Sequence, residues 1–96
     1  MEKKFSAEER EAVLASIPAW RWDETRQGIV RGFRFADFAD AFAFMTRVAR
    51  VAEKLDHHPD WSNSWNTVDI ILTTHDAGGF TARDVALAMA IDALAG

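Results

Sequence analysis

The spacing of apolar residues switches between two periods along the chain, and this switching most constrains the fold. In some stretches of the 96-residue sequence apolar residues recur three and four apart, as on one side of a helix. In others every second residue is apolar, as in a strand with one buried face. The succession of these stretches predicts the element order α-β-β-α-β-β-α.

Capping signals delimit the first two helices. Ser6 and Glu9 form a capping box that begins the first helix, and Pro18 ends it. Its apolar side is predicted to comprise Ala12, Val13, Leu14 and Ile17. Asp37 is the predicted N-cap of the longest helix, which ends near Leu55. The apolar stripe of this helix is predicted at Phe38, Phe42, Met45, Val48 or Ala49, Ala52 and Leu55.

The strands are predicted in two hairpins. Residues 20–23 and 29–35 alternate on either side of the polar turn 24–28, and residues 61–74 return to period two. The core-facing parity of this last segment is Val68, Ile70 and Leu72. After a break at residues 76–79, Thr81 caps a third helix with Asp84 at its third position. The apolar stripe of the third helix is predicted at Leu87, Ile91 and Leu94.

Two hairpins joined by a long helix are most simply accommodated in one antiparallel sheet. We therefore predict an α+β fold with two layers, in which a four-stranded antiparallel sheet carries the helices on one face. Neither a flexible linker nor an internal repeat is apparent, so residues 1–96 are expected to form a single domain.

Composition excludes several classes of function. The sequence has no cysteine, which excludes disulfides, thiolate metal sites and cysteine nucleophiles. Its net charge of −4 argues against direct nucleic-acid binding, because phosphate backbones are bound by clustered Lys and Arg. No run of 18 apolar residues and no signal-peptide pattern occurs, so we expect a cytoplasmic protein without a membrane partner.

The three histidines are the first candidates for chemistry. His57 and His58 are adjacent in a predicted loop, where functional residues concentrate, and His75 follows the last strand. An imidazole can donate or accept a proton near neutral pH. The alternatives are ordinary surface histidines or a zinc site completed by Asp56 or Asp60. Because His58 precedes a proline, the adjacent rings point in different directions, and we predict no metal.

Three carboxylates and the tryptophans are further candidates. Asp84 fits a capping role, which also complements the helix dipole. Glu53 and Asp56 lie in the last turn of the long helix, where negative charge is unfavourable, and this suggests a role beside the histidines. Four aromatic residues are expected first of all in the core, although their flat rings also suit a planar heterocycle: Trp20, Trp22, Trp61 and Trp65.

These residues together carry a resemblance to a known family. The run Ala52-Glu53-Lys54-Leu55-Asp56-His57-His58-Pro59-Asp60-Trp61, followed by Trp65 and by Thr73-Thr74-His75, closely resembles pterin-4a-carbinolamine dehydratase. The similarity extends over nearly the whole chain and includes Trp20, residues 29–35 and residues 41–49. The α-β-β-α-β-β-α order matches the fold of that family.

The resemblance implies an activity and assigns roles to residues. The implied reaction is dehydration of a 4a-hydroxytetrahydropterin to the quinonoid dihydropterin and water, without a metal or organic cofactor. His57 and His75 correspond to general acids and bases that serve the two C4a epimers, and His58 corresponds to a residue that holds the substrate. Four further residues are implied as polar supports or a pocket wall: Glu53, Asp56, Asp84 and Trp20.

The resemblance also leaves alternatives open. Animal relatives act as dimerisation cofactors of a homeodomain transcription factor, and some microbial relatives are associated with molybdenum-cofactor metabolism. The complete histidine set favours the enzyme over a pure interaction module. Family membership further implies a homodimer or homotetramer and a functional link to an aromatic amino acid hydroxylase.

Overall fold

One layer of the computed structural model, which describes residues 3–95, is a four-stranded antiparallel sheet in the order β1-β2-β4-β3. The strands are β1 (Arg21–Asp23), β2 (Gly28–Arg34), β3 (Asp60–Ser64) and β4 (Thr67–Leu72). The helices are α1 (Ala7–Ser16), α2 (Phe38–Leu55) and α3 (Ala82–Ala95), with a short 3₁₀ helix at His75–Ala77. The predicted α+β class and element order are confirmed.

The two central strands supply the sheet side of the core. In the β2–β4 register Ile29 faces Leu72 and Phe33 faces Val68, and all four side chains are buried. Ile70 lies between Val68 and Leu72 on β4 and is also fully buried. The predicted core parity of β4 is therefore confirmed, and it places the helices against one face of the sheet.

The buried face of α2 agrees with the predicted stripe only in part. The structure buries Ala41, Phe44, Val48 and Ala52, whereas Phe38, Phe42 and Leu55 are exposed. Val48 and Ala52 of the predicted stripe are buried as predicted, whereas Phe38, Phe42 and Leu55 lie on a second apolar side that points away from the core. The Phe44 ring decides the orientation, because it packs against the rings of Phe33 and Phe35 with centroid distances of 4.8 and 5.0 Å.

The two terminal helices are anchored to different extents. The Ser6–Glu9 capping box is present, yet α1 contains no buried residue, and the buried Ile17 follows its end. Leu87 and Ile91 of α3 are fully buried, as predicted, and Leu94 is half-buried. None of the helices within residues 3–95 has the length and hydropathy that a membrane crossing requires.

The orientation of α2 can be tested with two phenylalanines of the same helix. Phe44→Ala should lower the free energy of unfolding by about 3 kcal/mol or more, because it leaves a cavity beneath the helix. Phe42→Ala, on the exposed side, should change it by no more than about 0.5 kcal/mol. Urea denaturation of both variants at equal protein concentration checks this. Equal losses would contradict the assigned orientation.

The capping box predicts a dependence of stability on pH. Hydrogen bonds from the backbone N–H and side chain of Ser6 lower the pKa of Glu9 from 4.5. Glu9 should therefore stabilise α1 fully above its unfolded pKa, and this contribution should vanish as pH falls through the lowered folded value. Thermal unfolding of wild type and Glu9→Gln should accordingly differ more at pH 7 than at pH 3. An equal difference at both pH values would contradict the pairing.

Candidate active site

The end of α2 determines where the adjacent histidines lie. Asp56 adopts the left-handed conformation, with φ of 52°, and its N–H caps the helix by donating to the carbonyls of Ala52 and Glu53. The N–H of His57 also donates to the Ala52 carbonyl, at 3.1 Å. The guanidinium of Arg83 on α3 donates to the Asp56 carbonyl. The end of α2 is thereby tied to the start of α3, with His57 next to the junction.

His57 and Asp84 form the buried part of the site. The ring Nε2 of His57 lies 2.6 Å from Oδ1 of Asp84, and the two side chains are 8% and 0% exposed. The other carboxylate oxygen, Oδ2, accepts from the hydroxyl of Thr74 and from the N–H of Thr81, each at 2.9 Å. Asp84 therefore holds the His57 ring and also accepts from the Thr81 N–H at the start of α3. One side chain thus combines the predicted capping role with the predicted support of a histidine.

The other two histidines each have an exposed carboxylate partner. His58 Nε2 lies 2.5 Å from Glu53 Oε2, and His75 Nε2 lies 3.0 Å from Asp60 Oδ2. All four of these side chains are more than half exposed. Such pairs contribute little to stability because water screens them, but they orient the rings. Each imidazole thus has its own carboxylate.

Each of the three pairs has one member in the segment 57–60. Asp60 follows the adjacent histidines by two residues and holds His75, while Thr74, the neighbour of His75, donates to the Asp84 that holds His57. The two ends of the segment 57–60 are therefore linked to the residues that follow β4: Asp60 directly to His75, and His57 through Asp84 to Thr74. Nε2 of every ring is engaged by a carboxylate, and no hydrogen bond within residues 3–95 involves a ring Nδ1.

Two predicted support residues are placed differently from the others. Asp56 contributes its backbone to the junction with Arg83, whereas the imidazole contacts are made by Glu53, Asp60 and Asp84. Trp20 is 3% exposed and donates from Nε1 to Asp92 at 2.8 Å. Asp92 lies eight residues beyond Asp84 on α3, roughly 12 Å along the helix axis. Trp20 is consequently a buried core residue whose indole bonds to Asp92 and not to the carboxylates that hold the histidines.

Sequence reasoning missed two residues of this site. Asp60 belongs to the motif that carries the resemblance, but the only role predicted for it is that of a conceivable metal ligand, and its contact with His75 spans 15 residues. Thr74 lies in a predicted strand and in the motif that carries the resemblance, but no role is predicted for it. Its buried hydroxyl donates to Asp84. The sequence signal that could have indicated Thr74 is its position beside His75 at the end of a buried strand, because a buried hydroxyl requires a polar partner.

The carboxylates and imidazoles are arranged in pairs. Within residues 3–95, no three such side chains are arranged to hold a metal ion. A cavity of about 560 Å³ lies on the open face of the sheet, away from the helices, with Asp60 at its rim and Arg21, Val30 and Ile71 among its lining residues. Asp60 therefore both contacts His75 and lines this cavity.

Comparison with known proteins identifies the family. The family model described as pterin 4 alpha carbinolamine dehydratase matches residues 3–94. The chain belongs to this family. A relative from Rhizorhabdus wittichii, provisionally named a pterin-4-alpha-carbinolamine dehydratase, is 64% identical over 88 residues, which are 92% of this chain and 91% of the relative. A relative from Rhodopseudomonas palustris with the same provisional name is 55% identical over 96 residues, covering 100% and 95% of the two chains.

Solved structures support the fold assignment. A crystal structure described as a transcriptional coactivator/pterin dehydratase from Brucella melitensis superposes with a TM-score of 0.93. It is 40% identical, and the match covers 98% of this chain and 100% of that one. A pterin dehydratase-like protein described as a RuBisCO assembly factor in the alpha-carboxysome has a TM-score of 0.69 and 28% identity over 81% of this chain and 90% of its own. The fold of the dehydratase family thus occurs in proteins described by other roles as well.

The buried His57–Asp84 pair should contribute more to the free energy of unfolding than the exposed His58–Glu53 pair. Asp84→Ala removes the acceptor of three buried donors and should lower the free energy of unfolding by about 3 kcal/mol or more. Glu53→Ala removes the partner of an exposed histidine and should change it by no more than about 0.5 kcal/mol. Urea denaturation of the two variants measures the difference. A similar, small effect of both would contradict the central position of Asp84.

Proposed function

We propose that the protein catalyses dehydration of a 4a-hydroxytetrahydropterin by acid and base chemistry of its histidines. The proposal rests chiefly on one observation: in a member of the pterin carbinolamine dehydratase family, each of the three imidazoles is held by a separate carboxylate, and each pair has one member in the segment 57–60. Neither a metal nor an organic cofactor is required for this chemistry.

The reaction needs one proton delivered and one removed. A general acid protonates the hydroxyl on C4a, and the C4a–O bond breaks as water leaves. The lone pair on N5 forms the double bond between N5 and C4a, and a general base takes the proton from N5. The products are the quinonoid dihydropterin and water, so that atoms and charge balance. Positioned imidazoles suit both steps at neutral pH.

The environments of the histidines suit different roles. His57 and His75 act as the acid and base for the two C4a epimers, the former from a buried position and the latter from an exposed one. His58, paired with Glu53, contacts and orients the pterin ring. Glu53, Asp60 and Asp84 act through the rings they hold.

The direct test is the decay of freshly generated 4a-hydroxytetrahydropterin, followed by ultraviolet absorbance. Wild type should accelerate it, and His57→Gln and His75→Gln should each lower kcat by a factor of about 10² to 10⁴. The glutamine amide can still donate to Asp84 or Asp60 but cannot exchange protons as imidazole does. Glu11→Gln, an exposed change on α1, is the control and should retain the wild-type rate.

Two outcomes would redirect the proposal. If wild type matches the protein-free blank, the dehydratase function is wrong for this substrate, and a pterin of molybdenum-cofactor metabolism becomes the next one to assay. If the glutamine variants are folded by circular dichroism and retain full activity, the histidines are not the acid and base.

We also propose the cellular setting that this activity implies. The protein would act in the cytoplasm as a homodimer or homotetramer, recycling the oxidised pterin released by an aromatic amino acid hydroxylase. The absence of cysteine from the sequence is compatible with that compartment.

A protein-interaction role is the second candidate. Large apolar side chains are exposed outside the histidine site: Phe38 47%, Phe42 55%, Met89 59% and Trp65 64%. The similar structures described as a coactivator and as an assembly factor also favour this possibility. Full dehydratase activity in a Phe38→Ser, Phe42→Ser variant would separate any such role from catalysis.

A further inference from the structure

We propose that Thr74 is a positioning residue that sets which nitrogen of His57 faces the substrate, acting through Asp84. The inference rests on the proposed function for its catalytic consequence, and on the buried hydrogen bonds for its physical basis. The Thr74 side chain is almost fully buried, at 1% exposure, directly beside the exposed His75. The Thr74 hydroxyl makes no hydrogen bond to the His57 ring, so its effect on the ring must pass through the Asp84 carboxylate.

The directions of the hydrogen bonds around Thr74 can be worked out, because a hydroxyl carries a single hydrogen. Thr74 donates that hydrogen to Asp84 Oδ2 at 2.9 Å. The 2.7 Å contact between the hydroxyls of Thr74 and Thr81 must then be donated by Thr81. The Thr81 hydroxyl in turn accepts from the N–H of Arg83 at 3.2 Å. The hydroxyl chain therefore runs one way, from the start of α3 to Asp84.

This chain leaves one carboxylate oxygen for the histidine. Oδ2 of Asp84 receives both the Thr74 hydroxyl and the Thr81 N–H, whereas Oδ1 lies 2.6 Å from His57 Nε2. An ionised carboxylate only accepts hydrogen bonds, so Nε2 must carry the hydrogen. The neutral ring then has its lone pair on Nδ1, which is the form that accepts a proton there.

The unpaired ring nitrogen is also the accessible one. Among residues 3–95, no buried side-chain nitrogen or oxygen lacks a hydrogen-bond partner. The hydrogen bonds of the His57 ring in this part of the chain involve Nε2 alone, so Nδ1 reaches the surface even though the residue is only 7% exposed. Thr74 thus helps to present a single basic nitrogen from an otherwise buried ring.

The test compares Thr74→Val, which keeps the shape but removes the hydroxyl, with Thr74→Ser, which retains it. Nitrogen-15 NMR of labelled histidine, recorded at alkaline pH without substrate, distinguishes a ring with hydrogen on Nε2 from one with hydrogen on Nδ1. Wild type and Thr74→Ser should show His57 with hydrogen on Nε2. Thr74→Val should show a mixture, and its kcat should fall by about tenfold while KM changes by less than about twofold.

Thr73→Val is the matched control. Thr73 is a neighbouring buried threonine whose hydroxyl donates to the Gln27 carbonyl at 2.9 Å, outside the Asp84 network. This variant should leave the His57 signals as in wild type. A change of equal size in Thr73→Val would show that any lost hydroxyl at the strand end perturbs the ring, and would overturn the specific role of Thr74.

Two further results would overturn the proposal. One is an unchanged His57 spectrum and kcat in folded Thr74→Val. The other is a wild-type His57 that carries its hydrogen on Nδ1, and this measurement decides the matter even if Thr74→Val does not fold. Because the spectra need no substrate, a wild type without dehydratase activity would refute the proposed function and leave the positioning test intact.

Discussion

Within residues 3–95, the buried carboxylate of Asp84 is the one side chain that hydrogen-bonds to three separate parts of the site. It accepts hydrogen bonds from the start of α3, from the end of β4 and from the segment that follows α2. Burying a carboxylate is costly in free energy unless its oxygens accept hydrogen bonds. The three parts that supply these donors must therefore pack together for the fold to be stable. The same requirement fixes the His57 ring. Stability and the proposed catalysis therefore depend on one side chain.

The architecture was predictable because each element has its own local signal. The capping box at Ser6, the period-two pattern of β4 and the length of α2 all indicate the observed order. The orientation of α2 was not predictable, because this helix has apolar residues on two sides. Only the tertiary contacts of the Phe44 ring with Phe33 and Phe35 distinguish the buried side from the exposed one.

The site was predicted in part, and the division has a physical reason. His57, His58 and His75 could be found because they are clustered in the sequence and lie in a motif that resembles a known family. Their partners depend on contacts between residues distant in the chain, so Asp60 and Thr74 were not assigned. Trp20 is implied by the resemblance alone, and the structure shows it buried and bonded to Asp92.

The most direct test of the account is a titration of histidine-labelled protein with an unreactive 7,8-dihydropterin, followed by nitrogen-15 NMR of the ring signals. If the three carboxylate-held imidazoles form one pterin site, the signals of His57, His58 and His75 should all shift and should saturate at the same ligand concentration. Ring signals that stay unchanged at a pterin concentration that saturates binding elsewhere on the protein, such as the open face of the sheet, would contradict it.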